Sequence, residues 1–127
     1  MEKMTGSPTV TTVSRVLLVV VLVFMPYATL APGTSPPSDA ASQMHFYIMA
    51  GIIFVACMSF RTFRVRLVVG LLVFGYSALM EYFQYLLPHR HGSLDDVAIN
   101  FLGSLLGFGV FHAVCWTGQM ARSIRKH

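Results

Sequence analysis

Four long apolar segments constrain the fold of this chain more than any other feature of its sequence. They cover about residues 16–31, 46–60, 67–87 and 97–116, with short polar connections between them. A helix that crosses a membrane needs about 20 predominantly apolar residues. Only 11% of the residues are charged, against roughly 25% in soluble proteins. The sequence therefore predicts an all-α integral membrane protein, a bundle of four transmembrane helices, with no room for a separate soluble domain.

The predicted transmembrane domain covers residues 13–118, with a short polar segment at each end. Residues 1–12 are polar and rich in threonine, so we expect a disordered cytoplasmic tail there. Residues 119–127 form a basic tail, also expected in the cytoplasm. A signal peptide in place of the first helix is disfavoured, because a long segment precedes the apolar core and the cleavage site after it is weak.

The basic residues predict how the bundle is oriented in the membrane. Eight of the nine lie before the first helix, between the second and third, or after the fourth, and these segments share one side of the membrane. Cytoplasmic segments carry an excess of lysine and arginine, so both termini are expected in the cytoplasm. Arg90 alone falls on the opposite side. This distribution flanks the membrane segments and argues against a nucleic-acid partner.

Polar residues and glycines form a stripe along the fourth predicted helix. Spacings of four, three and four residues place its members on one face: Asp96, Asn100, Gly103 and Gly107. Glycines allow two helix backbones to approach closely, so we expect this face to pack against a neighbouring helix. The third helix is the expected neighbour, because short loops make consecutive helices antiparallel partners.

The third helix carries an acidic residue, Glu81, one turn before Gln84, and a charged carboxylate is energetically unfavourable inside a membrane. An acidic side chain at the bilayer centre costs about 2.5–3.5 kcal/mol, so Glu81 calls for a partner or for protonation. Arg90 is the expected neutraliser, and its guanidinium also suits an external phosphate or carboxylate. His45 lies at the same end, on the second helix. The candidate binding cluster has six members: His45, Glu81, Gln84, Arg90, Asp96 and Asn100.

Each of these residues also has a purely structural interpretation. Asp96 follows a serine by three residues and fits a capping box at the start of a helix. Asn100 and Gln84 are typical of hydrogen bonds between helices. Glu81 and Arg90 fit a structural ion pair. Their convergence at one membrane surface is what favours a functional site.

The spacing of these residues resembles the signature of VanZ-like membrane proteins. The matching positions are Glu81, Gln84, Pro88, Arg90, Ser93, Asp96, Asn100, Gly103 and Gly107, with His45-Phe46 at the start of the second helix. The resemblance implies a bacterial cell-envelope protein of the inner or plasma membrane. The distribution of basic residues predicts that the polar cluster is on the extracytoplasmic face. The founding member is linked to resistance against teicoplanin, a lipoglycopeptide that acts at the outer face of the cell membrane.

Three functions stay open at this point. The cluster could recognise an amphiphilic or lipid-linked molecule at the outer leaflet. It could instead serve an enzyme acting on a lipid-linked substrate, with Glu81 or His45 as general base and Arg90 stabilising negative charge. The protein could also be a structural partner in an envelope complex or a homo-oligomer. We expect no cofactor and no metal, because no metal-ligand spacing is present.

Overall fold

The computed structural model describes residues 7–33 and 38–126, and of residues 38 and 39 only the backbone. Four helices account for nearly all of them: α1 (Pro8–Leu30), α2 (Ser38–Ser59), α3 (Phe63–Leu86) and α4 (Leu94–Ile124). Each is long and apolar enough to cross a membrane, and the described residues contain no strand. The predicted all-α architecture with four candidate transmembrane helices is confirmed, whereas its orientation in the membrane stays a prediction.

The bundle has two chemically different ends, which we name by their residues. The polar end is where α1 and α3 finish and α2 and α4 begin, at Leu30, Leu86, Ser38 and Leu94. The basic end is opposite, at Pro8, Ser59, Phe63 and Ile124. Seven of the nine basic residues lie in the described part of the basic end or beside it in sequence: Arg15, Arg61, Arg64, Arg66, Arg122, Arg125 and Lys126. Arg90 lies at the polar end.

The first and last helices extend into segments that were predicted to be tails. The Ser7 side chain accepts a hydrogen bond from the Val10 amide at 3.4 Å, and Pro8 occupies the first turn, where a proline is tolerated. The helix therefore replaces the disordered tail expected for residues 8–12, and residues 1–6 lie outside the described part. At the other terminus α4 continues to Ile124, through most of the predicted basic tail.

Helix α2 is the centre of the bundle and contacts all three other helices. Most of the deeply buried apolar side chains belong to it: Met49, Ile52, Ile53, Ala56 and Cys57. They pack with Leu18 of α1, Val73 of α3 and Phe111 of α4. The position of α2 therefore determines where the other three helices can sit.

The glycine stripe of α4 packs against α2, which corrects the expectation that it faces α3. A Cβ atom at Gly103 would collide with the carbonyl oxygen of Phe46, and one at Gly107 with that of Ala50. The expectation used only the shortness of the α3–α4 connection, which makes these helices neighbours but does not set how α4 is rotated. Close backbone contact with α2 sets that rotation. The predicted packing role of both glycines stands, with a different partner.

Arginine side chains complete the end of α2 at the basic end. Arg66 Nε donates to the carbonyl oxygens of Cys57 at 3.0 Å and Phe60 at 2.8 Å. Arg15 Nε donates to the carbonyl of Ser59 at 2.9 Å. The last carbonyls of a helix have no partner within the helix, and its C-terminus favours positive charge. These arginines tie α1 and α3 to the end of α2.

Helix α1 contains an internal proline whose effect is compensated by α3. Pro26 has no N–H group to donate to the carbonyl of Leu22 one turn earlier. The hydroxyl of Tyr76 donates to that oxygen at 3.0 Å. This bond links α1 and α3 midway along the bundle.

Candidate functional site

The buried carboxylate of Glu81 pairs with His45 across the α2–α3 interface. His45 Nδ1 lies 3.2 Å from Glu81 Oε1, and the Glu81 side chain is only 4% exposed. This contact replaces the expected pairing of Glu81 with Arg90. Glu81 projects from α3 toward α2, whereas Arg90 lies beyond the end of α3 and reaches α1.

The second oxygen of Glu81 is buried but has no hydrogen-bond partner among the described residues. Leaving a buried polar atom unsatisfied costs about 1–3 kcal/mol, and more for a charged group. The neighbouring imidazole has Asn100 and Asp96 as further polar neighbours, and Asn100 is itself buried. The interior of the polar end thus holds an acceptor that a hydrogen-bond donor from outside the chain would satisfy.

Gln84 and Arg90 bind the last carbonyls of α1. Gln84 Nε2 donates to the carbonyl of Thr29 at 2.8 Å. Arg90 Nη2 donates to that of Ala31 at 2.7 Å and, less closely, to that of Ala28 at 3.4 Å. These bonds satisfy helix-end acceptors and place a cation at a helix C-terminus, as at the basic end. Both side chains thus have a structural role, whatever else they contact.

Ser93 caps α4, and its bonds with Asp96 resemble the capping box that was considered as the structural interpretation of Asp96. Its amide donates to Ser93 Oγ at 3.0 Å, and that hydroxyl donates to Asp96 Oδ2 at 2.9 Å. The other carboxylate oxygen accepts a bond from Ser42 Oγ at 3.4 Å, which links α4 to the start of α2. Asp96 therefore fixes the first turn of α4 beside His45.

Gly92 allows the α3–α4 connection to lie directly on α3. A Cβ atom at this position would collide with the carbonyl of Glu81 and approach the amide of Tyr85 at 2.6 Å. Only glycine, which has no Cβ, permits this approach. Arg90 lies two residues before Gly92 and Ser93 directly after it, so the close contact also positions the arginine at α1 and the serine at the start of α4.

Five of the six candidate residues line a cavity of about 360 Å³ between α1, α2 and α3: His45, Glu81, Gln84, Arg90 and Asn100. We call it the lateral cavity. Its remaining wall is largely apolar and includes Phe24, Met44 and Ile48. These three side chains are exposed on the flank of the bundle, Phe24 by 64%. The lateral cavity therefore opens sideways between α1 and α2, toward the lipid-facing surface.

A second cavity of about 410 Å³ lies at the polar end itself, and we call it the polar cavity. Its walls include Ser42, Asp95 and Asp96 together with the histidines of the α3–α4 connection. His45, Gln84 and Arg90 line both cavities. An apolar opening on the flank and a polar opening at the end thus meet at the same three side chains.

The contribution of α1 to this site was not foreseen from the sequence. Phe24, Ala28 and Thr29 line the lateral cavity, although α1 carries no charged residue near the polar end. Pro26 was the available signal, since a proline inside an apolar helix calls for a partner on a neighbouring helix. Among the described residues no group of three or more His, Cys, Asp or Glu side chains is arranged to hold a metal ion.

Four helices long and apolar enough to cross a membrane, with a buried polar cluster at one end, are typical of a multi-pass membrane protein. The model of the VanZ/LLP1 family matches residues 12–116. The chain therefore belongs to the VanZ/LLP1 family, and the resemblance seen in its sequence is confirmed. No curated protein and no solved structure matches the chain.

Proposed function

We propose that this protein recognises an amphiphilic or lipid-linked molecule at the polar end of its bundle. The observation that carries the proposal is the meeting of the two cavities at His45, Gln84 and Arg90. A molecule with a polar head and an apolar chain matches this arrangement, because its two parts require the two kinds of environment. Ligand sites of proteins are commonly apolar clefts with a few placed polar groups.

The polar contacts favour a head group that donates hydrogen bonds. Glu81 Oε2 is a buried acceptor without a partner among the described residues, and a ligand hydroxyl or ammonium group would satisfy it. Arg90 and Gln84 already hold the end of α1, so their first contribution is to keep the α1 wall in place. An anionic group beside Arg90 would add a charge-assisted contact.

The site is proposed to face the outside of the cell envelope. Eight of the nine basic residues lie in the segments opposite the polar end, and positive residues favour the cytoplasmic side. An amphiphile would then be taken from the outer leaflet of a bacterial plasma membrane. A role in resistance to lipoglycopeptides, as the family's founding member suggests, would fit a site for amphiphiles at that surface.

The proposal is tested by the molecules that the protein retains during purification. We expect native mass spectrometry in mild detergent to detect a bound amphiphile on the wild-type chain. Glu81→Gln and His45→Gln should lose most of it while accumulating normally in the membrane. His112→Gln is the matched control, because His112 is a helical histidine that lines none of the four cavities described for this chain. Absence of any retained amphiphile, or equal retention by all four proteins, would contradict the proposal.

A second candidate is an enzyme that acts on a lipid-linked substrate, and the His45–Glu81 contact is the observation that favours it. A carboxylate that orients an imidazole is a common arrangement for general base catalysis. Incubation of the purified protein with a membrane lipid extract would separate the two candidates. Time-dependent products that vanish in His45→Gln indicate catalysis, whereas an unchanged extract with retained amphiphile indicates recognition alone. A structural role in an envelope complex would leave both readouts unaffected by these substitutions.

A further inference from the structure

We infer that the apolar chain of the ligand enters the protein from the bilayer, between α1 and α2, and lies in a groove along these two helices. This inference rests on the proposed recognition of an amphiphile and specifies where its chain is held. The groove, which we call the α1–α2 groove, has a volume of about 240 Å³ and is lined by apolar side chains and Gly51.

The α1–α2 groove adjoins the lateral cavity, and the two share three lining residues. Val21, Ile48 and Ile52 line both. The combined space begins at His45 and reaches Val55 at its far end. Ten residues of helix correspond to about 15 Å, which is half of the roughly 30 Å hydrocarbon core of a bilayer. The space therefore has the depth of one leaflet, which is the depth that an acyl chain occupies.

The flank formed by α1 is the least enclosed part of the bundle. Buried residues make up 11% of the apolar window of α1, against 22–28% for the other three helices. The polar contacts of α1 lie at Arg15, at Leu22 and at its last turn. Between them it packs through apolar side chains alone, so a lipid chain can exchange with these contacts at little electrostatic cost.

An acyl chain fits this space better than a helix of a partner protein does. The groove leads to the buried Glu81 carboxylate, whose Oε2 atom has no partner in the described part of the chain. An apolar helix would cover that oxygen without satisfying it. A lipid with a hydroxyl-bearing head group would fill the groove with its chain and donate to Glu81 with its head. Its phosphate, if present, would lie near Arg90.

Glycine substitutions provide a direct test because one glycine lies in the groove with space around it. A Cβ atom at Gly51 meets nothing within 4 Å, so Gly51→Leu would fill the groove without a backbone collision. Gly70 has equally open surroundings but lines a smaller groove of about 100 Å³ between α3 and α4. Gly75 is also open and lines neither groove. Gly70→Leu and Gly75→Leu are therefore matched controls.

The probe is phosphatidylglycerol with a photoreactive diazirine in its acyl chain, offered to the full-length protein in lipid nanodiscs. We expect adducts, mapped by mass spectrometry, to be several-fold more abundant on Val21, Ile48 and Val55 than on Leu71 and Leu105 of the α3–α4 groove. Gly51→Leu should reduce the adducts on α1 and α2 at least five-fold. Gly70→Leu and Gly75→Leu should leave them unchanged.

The outcomes distinguish this inference from the proposed function on which it rests. If Glu81→Gln reduces the adducts and Gly51→Leu does not, the head-group site stands and the groove is overturned. If Gly51→Leu reduces them and Glu81→Gln does not, the chain is held in the groove but the proposed polar recognition fails. Equal adducts in the two grooves would show ordinary contact with surrounding lipid and overturn the inference.

Discussion

The two ends of this bundle both bury charged side chains, but they use them differently. At the basic end, Arg66 donates to carbonyls at the end of α2 and stacks on the ring of Phe111, 4.6 Å from its centre. At the polar end, Glu81 contacts His45 through one oxygen. Each group leaves one buried atom without a hydrogen-bond partner among the described residues, Arg66 Nη2 and Glu81 Oε2. Neither Arg66 nor Arg15 lines a described cavity, whereas Glu81 does.

The difference shows that burial of a charge is not by itself a sign of function. A buried arginine that caps a helix is explained by the helix it caps. Arg90 repeats that device at the polar end, on the carbonyls of α1. The His45–Glu81 pair caps no helix and lines an open cavity, so stability alone does not explain it. The proposal of a ligand site rests on this position beside a cavity.

The largest expected loss of stability comes from disrupting the α2–α4 contact, which joins the two ends of the bundle. Gly107→Leu would drive a side chain into the backbone of Ala50, and backbone cannot move aside as a side chain can. Overpacking of this kind typically costs about 1–3 kcal/mol and occasionally more, and we expect a loss at or above the top of that range. Membrane abundance and unfolding in denaturing detergent measure it. Gly109→Leu, with open space around it, should accumulate normally, and equal loss in both variants would refute the α2–α4 contact.

The next effect concerns the basic end alone. Arg66→Met removes two hydrogen bonds from a charged donor and the contact with the Phe111 ring. Bonds to charged groups contribute about 1.5–3 kcal/mol each, not additively, so we expect the unfolding free energy to fall by about 2–3 kcal/mol. Arg66→Lys should lose less, because it retains the charge. The folded fraction of Arg66→Met should retain the amphiphile. Selective loss of the amphiphile would contradict the view that only the polar end contributes to binding.

Loss of the arginine that caps a helix at the polar end, Arg90, should reduce stability less than loss of Arg66. Arg90→Ala removes the donor to the Ala31 carbonyl, but the polar cavity beside it can admit water, which would replace that donor in part. We expect a loss of about 1–2 kcal/mol. Hydrogen exchange should increase in the last turn of α1 and not in α4. A loss as large as that of Arg66→Met would show that water from the polar cavity does not replace the missing donor.

The smallest expected change in the free energy of unfolding concerns the hydrogen bond between Tyr76 and Leu22, midway between the two ends. Tyr76→Phe removes the hydroxyl that donates to Leu22, and single hydrogen bonds between membrane helices average about 0.6 kcal/mol. We expect the unfolding free energy to fall by about 0.5–1 kcal/mol. In Pro26→Ala, the restored amide can donate to Leu22 within α1, so Tyr76→Phe should then cost close to nothing. An unchanged cost in that background would show that the bond does not compensate for the proline.

Local sequence patterns predicted the helices and several of their details, whereas relations between helices were harder to predict. Hydropathy and spacing were enough for the four helices and for the cap that Ser93 forms with Asp96, because these depend on neighbours in sequence. The partner of Glu81 and the neighbour of the Gly103–Gly107 stripe depend on how whole helices rotate about their axes. Residue spacing places side chains on a face but does not say which helix that face meets.

The two cavities could not be predicted from the sequence, because they also depend on how the helices pack against each other. They are spaces between helices, and α1 lines the lateral cavity mainly with apolar residues that carry no distinctive pattern. The charged members of the cluster were recognisable because charge is rare in this chain. Phe24, Met44 and Ile48 were not, because they resemble every other lipid-facing side chain.

Glu81→Gln, measured for stability and for ligand together, tests most directly whether the polar end is a binding site. Glutamine can still accept the bond from His45 and removes a buried charge, so the delipidated variant should unfold within about 1 kcal/mol of wild type. Retention of the amphiphile in native mass spectrometry should fall at least ten-fold. A loss of about 3 kcal/mol in stability with full retention would contradict the account, because Glu81 would then hold the bundle together as Arg66 does.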